Sequence, residues 1–207
     1  MFNRGKFLRQ EFWDKRYSET GFAYGTKPNL YLVSKSNLLK PGMKVLAIGD
    51  GEGRNGVWLA EKNMDVTIVD QSEVGLHKAR QLAAEKQVSI RTIRADLASW
   101  EWPVNTFDAV VSIFVHFGPV ERINIHQSII RVLKSDGWLI MQSFHQDQIK
   151  QTSGGPKSVE MLYTTDMLAQ DFAGLQIIEL EETETMLNEG PYHHGTAAVI
   201  NLLAQKK

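Results

Sequence analysis

Short apolar runs alternate with helically spaced stretches through most of the chain. Val45–Ile48 is apolar throughout and predicts a buried strand, with Arg54–Lys62 as the helix that follows. Asp65–Val69 predicts a second strand, Glu73–Glu85 a helix with Ala and Leu on one side, and Ser89–Ile93 a third strand. Phe107–Phe114 reads as a fourth strand, Glu121–Lys134 as a helix through Ile125, Ile129 and Val132, and Trp138–Phe144 as a fifth strand. Strands this apolar, each separated from the next by a helix, belong to a parallel sheet covered on both faces. The C-terminal part breaks the rhythm. Leu175–Met186 and Thr196–Ala204 are β-like and joined only by LNEGPYHHG, so they predict an antiparallel hairpin at the sheet edge. The charged alternation of LEETET suits a half-exposed edge strand. The expected fold is a single three-layer α/β/α sandwich, its mostly parallel seven-stranded sheet ending in an antiparallel C-terminal edge hairpin.

Composition narrows the function classes. At 207 residues and 43% hydrophobic content the chain has enough material for one domain with a sizeable core. A formal charge of −1 gives no basic footprint for nucleic acid or an anionic membrane. The basic N-terminal residues (Arg4, Lys6, Arg9, Lys15, Arg16) are interleaved with Phe7, Phe12, Trp13 and Tyr17, which reads as a capping helix. With no cysteine, disulfides, thiolate metal sites and a cysteine nucleophile are excluded. No apolar run reaches the length of a membrane span, and the N-terminus lacks the pattern of a signal peptide, so a cytoplasmic location is expected.

Gly49, Gly51 and Gly53 lie between the first strand and its helix, and Gly56 falls in that helix's first turn. A strand, a glycine turn and a helix bring backbone N–H groups up to a ligand. Starting at Gly51 the spacing is GxGxxG; starting at Gly49, which directly follows the strand, it is GxGxG. The second register places Arg54 where a dinucleotide loop has its third glycine, which favours a ligand without phosphates there. Asp70 ends the second strand in VTIVDQS, followed by Gln71 and Ser72, and can accept both hydroxyls of a ribose, or else merely cap the next helix, a task open to Ser72. Asp96, after the third strand, can accept from an adenine amino group while the Leu97 N–H faces a ring nitrogen; a plain turn aspartate is the competing reading. Ser112 lies in the fourth strand beside the crevice where open α/β sheets bind ligands.

VLAIGDGEGRN, VTIVDQS, RADL, FDAVVSIFVHF and LKSDGWLIM resemble, in order and spacing, the motifs of class I S-adenosylmethionine-dependent methyltransferases. FWDKRYSETGFAYGTKPN, the TSGGPKSVEML loop and EGPYHHGTAAVINLLAQKK resemble more narrowly the small methyltransferases of tellurite-resistance or thiopurine type. The resemblance covers essentially the whole chain. It implies one Rossmann-like methyltransferase domain over residues 1–207, with 1–40 as an N-terminal lid or capping segment and 41–207 as the core. It also implies S-adenosyl-L-methionine as cofactor, held by Gly49, Asp50, Gly51, Gly53, Asp70, Gln71, Ser72, Asp96, Leu97 and Ser112. Many such enzymes carry an acid in the first strand where this chain has Ala47; Asp50, in the loop, is the expected substitute for attracting the methionyl ammonium or the sulfonium.

Methyl transfer from a sulfonium asks the protein for alignment and a dry pocket, and for a proton acceptor only when the nucleophile is not already ionised. Candidates on the acceptor side are Tyr24 in an N-terminal lid, Arg54, His116 after the fourth strand, and His193, favoured over His194 by the EGxxHxG pattern of the resembled family. Each has a plain alternative: a surface tyrosine, a solvated arginine, a histidine bonded to a backbone carbonyl, an exposed hairpin histidine. The adjacent His193 and His194 show no acidic or third-histidine partner, so no metal is expected. HQDQIKQTSGGPKSVEML is too rich in glycine and polar residues to be helical throughout and suits a second lid. The expected activity is methyl transfer to a small-molecule acceptor, including soft nucleophiles such as thiols or selenium and tellurium species. No nucleic-acid or membrane partner is expected, and the sequence names no protein partner. A non-catalytic binder of S-adenosylmethionine or S-adenosylhomocysteine is the alternative. A nicotinamide-dependent oxidoreductase is weakened by Arg54 and by the lack of a second nucleotide-binding half.

Overall fold

A computed structural model describes residues 4–207, with side chains from Arg9 onward; residues 1–3 and the side chains of Arg4, Lys6 and Phe7 in the expected capping segment lie outside that description. The N-terminal stretch forms α1 (Arg4–Tyr17) and a short α2 (Leu30–Ser34), the latter capped by Asn29, whose Oδ1 accepts from Leu32 N. The core then runs β1 (Lys44–Ile48), α3 (Arg54–Glu61), β2 (Asp65–Asp70), α4 (Glu73–Glu85), β3 (Arg91–Arg94), β4 (Phe107–Ile113), α5 (Pro119–Val132) and β5 (Leu133–Phe144). It closes with α6 (Thr165–Asp171), β6 (Gln176–Asn188) and β7 (His194–Gln205).

The seven strands pair in the order β3-β2-β1-β4-β5-β7-β6. β1 to β5 are mutually parallel, whereas β7 runs antiparallel between β5 and β6, leaving β6 at the edge. Glu182 and Glu184 face solvent on that edge strand, a charge load that discourages pairing with another chain. Successive side chains of β1 divide between the faces. Leu46 and Ile48 join the core built with Ile125 and Ile129 of α5 and Phe172 beside α6. Val45 and Ala47 join the core built with Leu32 of α2, Leu59 of α3 and Leu76 of α4. Two apolar layers on one sheet give the three-layer sandwich, and the period-2 alternation of each strand decides which layer a residue enters.

Three differences from the sequence expectation have local causes. β5 begins at Leu133 rather than Trp138, because the chain turns through a left-handed Asp136 (φ 62°) without leaving the sheet. Residues 145–162 contain two 3-10 turns, Gln146–Lys150 and Val159–Met161, within otherwise irregular chain. α6 was not foreseen; it is fixed by its Thr164 cap and by Asp171, whose carboxylate accepts from buried His126 at 2.7 Å and pairs with Arg122 at 2.8 Å. No helix among the described residues is long and apolar enough to cross a membrane.

The glycine loop is where sequence constrains the backbone most tightly. Gly53 caps α3 in a left-handed conformation (φ 87°), and a Cβ there would lie 2.6 Å from Ala79 Cβ of α4. A Cβ at Gly51 would lie 2.3 Å from the Tyr17 hydroxyl oxygen of α1. Gly53→Ala therefore combines an unfavourable φ with a clash between α3 and α4 and should lower unfolding stability by about 2–4 kcal/mol. Urea denaturation of the two proteins measures it; a loss below about 0.5 kcal/mol, the range of an ordinary surface substitution, contradicts the packing described.

Candidate active site

A cavity of about 750 Å³ opens beyond the C-terminal ends of β1, β2, β3 and β4. The strand order reverses between β1 and β4, which is where open α/β sheets place their ligands. Arg9, Phe12, Trp13, Arg16 and Tyr17 of α1 line the opposite wall. Residues 154–158 and the hairpin tip Pro191–His193 complete the enclosure.

One half of the cavity is acidic. Asp70, at the end of β2, is buried and lines the wall with Gln71. Its Oδ2 accepts from Gly51 N at 2.9 Å and its Oδ1 from Ser72 N at 2.8 Å. Burial raises its pKa to about 6, against the lowering effect of those two backbone donors. Each oxygen retains a lone pair for a further donor. Asp96 and Leu97 stand alongside, after β3; Asp96 Oδ1 accepts from Ala98 N at 3.0 Å.

Asp50 differs from its expected part. It lines the cavity, yet its oxygens turn to the start of α3: Oδ1 accepts from Asn55 Nδ2 at 2.9 Å and Oδ2 from Gly56 N at 2.7 Å. A carboxylate beside unsatisfied helix N–H groups is held there by hydrogen bonds and by the helix dipole, so the charge expected to face a cationic ligand first braces the loop. Gly51, Gly53, Ser72 and Ser112 do not line the cavity, whereas Gly49 does. Ser72 caps α4 through Gly75 N and donates to Asp14 at 2.5 Å, the capping role left open from sequence. Ser112 is buried within β4.

The other half is aromatic and is organised by a residue the sequence reading passed over. Glu189, at the end of the hairpin's first arm, accepts from Asn29 Nδ2 (3.0 Å) on Oε1 and from Arg54 Nη2 (2.8 Å) on Oε2. Its Oε2 also lies 3.2 Å from His193 Nδ1. The hydrogen bond from His193 and the charge of Arg54 outweigh burial and hold Glu189 at about 2. The expectation that the His193–His194 pair lacks an acidic partner is thus corrected: Glu189 stands four residues upstream of His193, and it is also the anionic neighbour Arg54 needs at a helix N-terminus. His193 is buried rather than an exposed hairpin residue, and burial lowers its pKa. A neutral imidazole beside a carboxylate carries its proton on Nδ1, leaving the Nε2 lone pair unprotonated.

His116 is removed as a candidate base. Its Nδ1 donates to Met161 O at 2.7 Å and its Nε2 accepts from Phe144 N at 3.1 Å, which uses both ring nitrogens, and burial depresses its pKa to about 4. It is a brace between β4, β5 and the 145–162 segment. Phe114, also missed, leaves β4 with φ 56°, a strained conformation for a bulky side chain. Its ring stacks on Phe144 at 4.4 Å and meets His193 edge-on at 4.9 Å. Tyr24 lines the cavity with its ring 4.4 Å from His193 and its hydroxyl bonded to Arg16 at 3.1 Å. Among the described residues no group of three or more metal-ligating side chains converges.

Residues 45–137 match the family model described as a methyltransferase domain. The chain is 30% identical over 100 residues to an uncharacterized methyltransferase, YbaJ, of Bacillus subtilis (strain 168), covering 48% of this chain and 39% of that one. It is 30% identical over 139 residues to the chloroplastic 2-methyl-6-phytyl-1,4-hydroquinone methyltransferase 1 of Oryza sativa subsp. japonica, covering 62% and 41%. The chain thus spans about two-fifths of the length of these relatives. Among solved structures, TehB from Haemophilus influenzae superposes with a TM-score of 0.72 at 18% identity, over 96% of this chain and 67% of that one.

Asp70 is the group whose titration should be visible. Because burial lifts it from 3.8 to about 6, its charge opposes folding increasingly as pH rises between those values, and by a constant amount above. The melting-temperature difference between Asp70→Asn and the wild type should therefore move in the variant's favour from pH 4 to pH 7. Thermal melts across that range test it; a difference independent of pH would show that Asp70 is not desolvated.

Proposed function

We propose that this chain is an enzyme that transfers a methyl group from S-adenosyl-L-methionine to a small-molecule acceptor, a reading supported by the methyltransferase-domain match over residues 45–137 and by the fold it shares with TehB. The observation that carries this reading is Asp70, a buried carboxylate on the cavity wall with acceptor capacity left over, one strand away from a bare glycine turn. The cofactor, when bound, supplies a methyl group activated on a sulfonium. Asp70 would take the ribose hydroxyls, Asp96 and Leu97 the adenine edge, and Gly49 with Gln71 the contacts that need a close backbone and a polar side chain. The enclosure by α1, the 154–158 loop and the hairpin tip favours a small acceptor, excluded from water once bound.

On the acceptor side, Phe114, Phe144 and Tyr24 supply apolar walls, and His193 a neutral imidazole oriented by Glu189. His193 is read as the proton acceptor for nucleophiles that arrive protonated. A thiolate, selenol anion or reduced tellurium species needs no such help. Residues 1–40 are read as a lid: Arg9 of α1 forms a two-pronged pair with Glu121 of α5 at 2.7 and 2.9 Å, and Tyr192 bonds to Glu19 at 2.7 Å. These exposed or half-buried links add to the buried anchors of α1, Tyr17 against Gly51 and Asp14 accepting from Ser72, so α1 is read as a cap across the mouth.

Calorimetry with S-adenosylmethionine and S-adenosylhomocysteine tests the cofactor reading: saturable binding is expected, weakening as pH falls through about 6, where Asp70 is protonated and loses acceptor capacity. Single-turnover loss of a labelled methyl group to a panel of thiols and reduced selenium species then separates an enzyme from a non-catalytic binder. His193→Ala should slow transfer to acceptors that must lose a proton by about 10²–10⁴-fold, with cofactor affinity within about twofold. Equal slowing for acceptors already ionised would remove His193 as the base.

A further inference from the structure

Among the described residues, Arg54 Nη1 is a buried side-chain polar atom with no hydrogen-bond partner, and Arg54 lines the cavity. Arg54, the first residue of α3, is 7% exposed. Its Nη2 donates to Glu189 Oε2 at 2.8 Å, while Nη1 is the atom without an acceptor. Leaving a buried guanidinium nitrogen unpaired costs more than losing an ordinary hydrogen bond. A cation whose whole task was to neutralise Glu189 would need one prong, which a lysine supplies. The planar fork of arginine is suited to a second acceptor, above all a carboxylate or other oxyanion.

The surroundings point the same way. Glu189 links Arg54 to His193 and so ties the guanidinium to the aromatic half of the cavity, although its charge also reaches Asp50 of the glycine turn. Arg16 reaches the same neighbourhood, its guanidinium 3.6 Å from the Tyr192 ring centroid and bonded to Tyr24 Oη. Phe114 and Phe144 form an apolar floor beside it. We propose that Arg54 Nη1 is an anion subsite in the acceptor half of the cavity, taking a carboxylate or comparable oxyanion carried by the ligand. The inference rests on the cofactor-dependent reading given above. Two sources share this chemistry, the acceptor and the methionyl carboxylate of the cofactor, and the position next to Glu189 and His193 favours the acceptor.

Two calorimetric titrations of the full chain decide. In the first, S-adenosylhomocysteine is compared with its descarboxy analogue, which keeps the amine and lacks the carboxylate. In the second, protein loaded with S-adenosylhomocysteine is titrated with benzoate and with neutral benzamide, chosen for the aromatic walls. Both are run on the wild type and on Arg54→Lys, which keeps a one-pronged pair with Glu189. The expected result is a preference of the wild type for benzoate over benzamide of about tenfold or more, abolished in Arg54→Lys, with cofactor affinity within about twofold. A carboxylate preference confined to the cofactor titration and abolished by Arg54→Lys assigns the same prong to the methionyl carboxylate. Equal discrimination by wild type and variant in both titrations overturns the proposal. If Arg54→Lys does not fold by circular dichroism, Arg54→Gln replaces it, and the wild type still decides against the proposal if the loaded protein shows no preference for benzoate over benzamide. Failure of the wild type to bind either nucleoside sinks the cofactor reading instead, and the benzoate comparison on unloaded protein still judges Arg54.

Discussion

The ion pair between Glu189 and Arg54 is the constraint on which the arrangement of the cavity depends. Arg54 is buried and Glu189 nearly so, so neither charge is readily left alone, and breaking the pair should cost up to the roughly 3–5 kcal/mol typical of a buried one. The pair joins segments 135 residues apart in sequence, the hairpin tip and the helix that follows the glycine loop. Through Asn29 the same carboxylate reaches the N-terminal segment, and through His193 it reaches the aromatic wall. Asn29 also donates to Gln142 of β5 at 2.7 Å, and its backbone N–H donates to Asn55 at 3.0 Å. Asn55 in turn holds Asp50. A continuous polar network thus connects the turn read as cofactor-binding to the side read as acceptor-binding, with each carboxylate placed where backbone or cationic donors already wait for it.

That network also explains why the two halves differ in charge behaviour. Asp70 is surrounded by backbone donors and by other carboxylates, with no cation in direct contact, and its pKa is raised. Glu189, largely but less completely removed from water, has a guanidinium and an imidazole against it, and its pKa is lowered. Desolvation acts on both; the sign of the outcome is set by the nearest charges. The first arrangement leaves a carboxylate in want of hydroxyl donors, and the second fixes the tautomer of a histidine.

Much of the fold was legible because the strands are apolar and short and the helices between them amphipathic, a pattern only a covered parallel sheet satisfies. The antiparallel pair at the end was legible for the opposite reason, since nothing helical lies between its arms. The turn residues after strands were legible as a place where side chains converge: Gly49, Asp50, Asp70, Gln71, Asp96 and Leu97 all line the cavity. Ser112 does not, because a strand buried on both faces gives no alternation by which to tell which residue looks toward the crevice. Gly51 and Gly53 serve packing against Tyr17 and Ala79, contacts made by α1 and α4 that the loop's spacing cannot disclose. Glu189 was missed because two of its partners, Asn29 and Arg54, arrive from distant parts of the chain. The one clue was indirect: an arginine at a helix N-terminus must find an anion, and a glutamate four residues before His193 was available.

Phe114 carries a consequence for how such a pocket can change over evolutionary time. Its backbone sits where glycine or asparagine would be relaxed, yet the ring it holds there packs against both Phe144 and His193. Replacing it with a residue suited to that backbone would gain local stability and surrender the wall; keeping any large ring maintains the wall and the strain together. Drift at this position is therefore caught between two incompatible demands, and diversification of the pocket is channelled to the loop and the N-terminal helix, whose side chains face the same space from unstrained backbone.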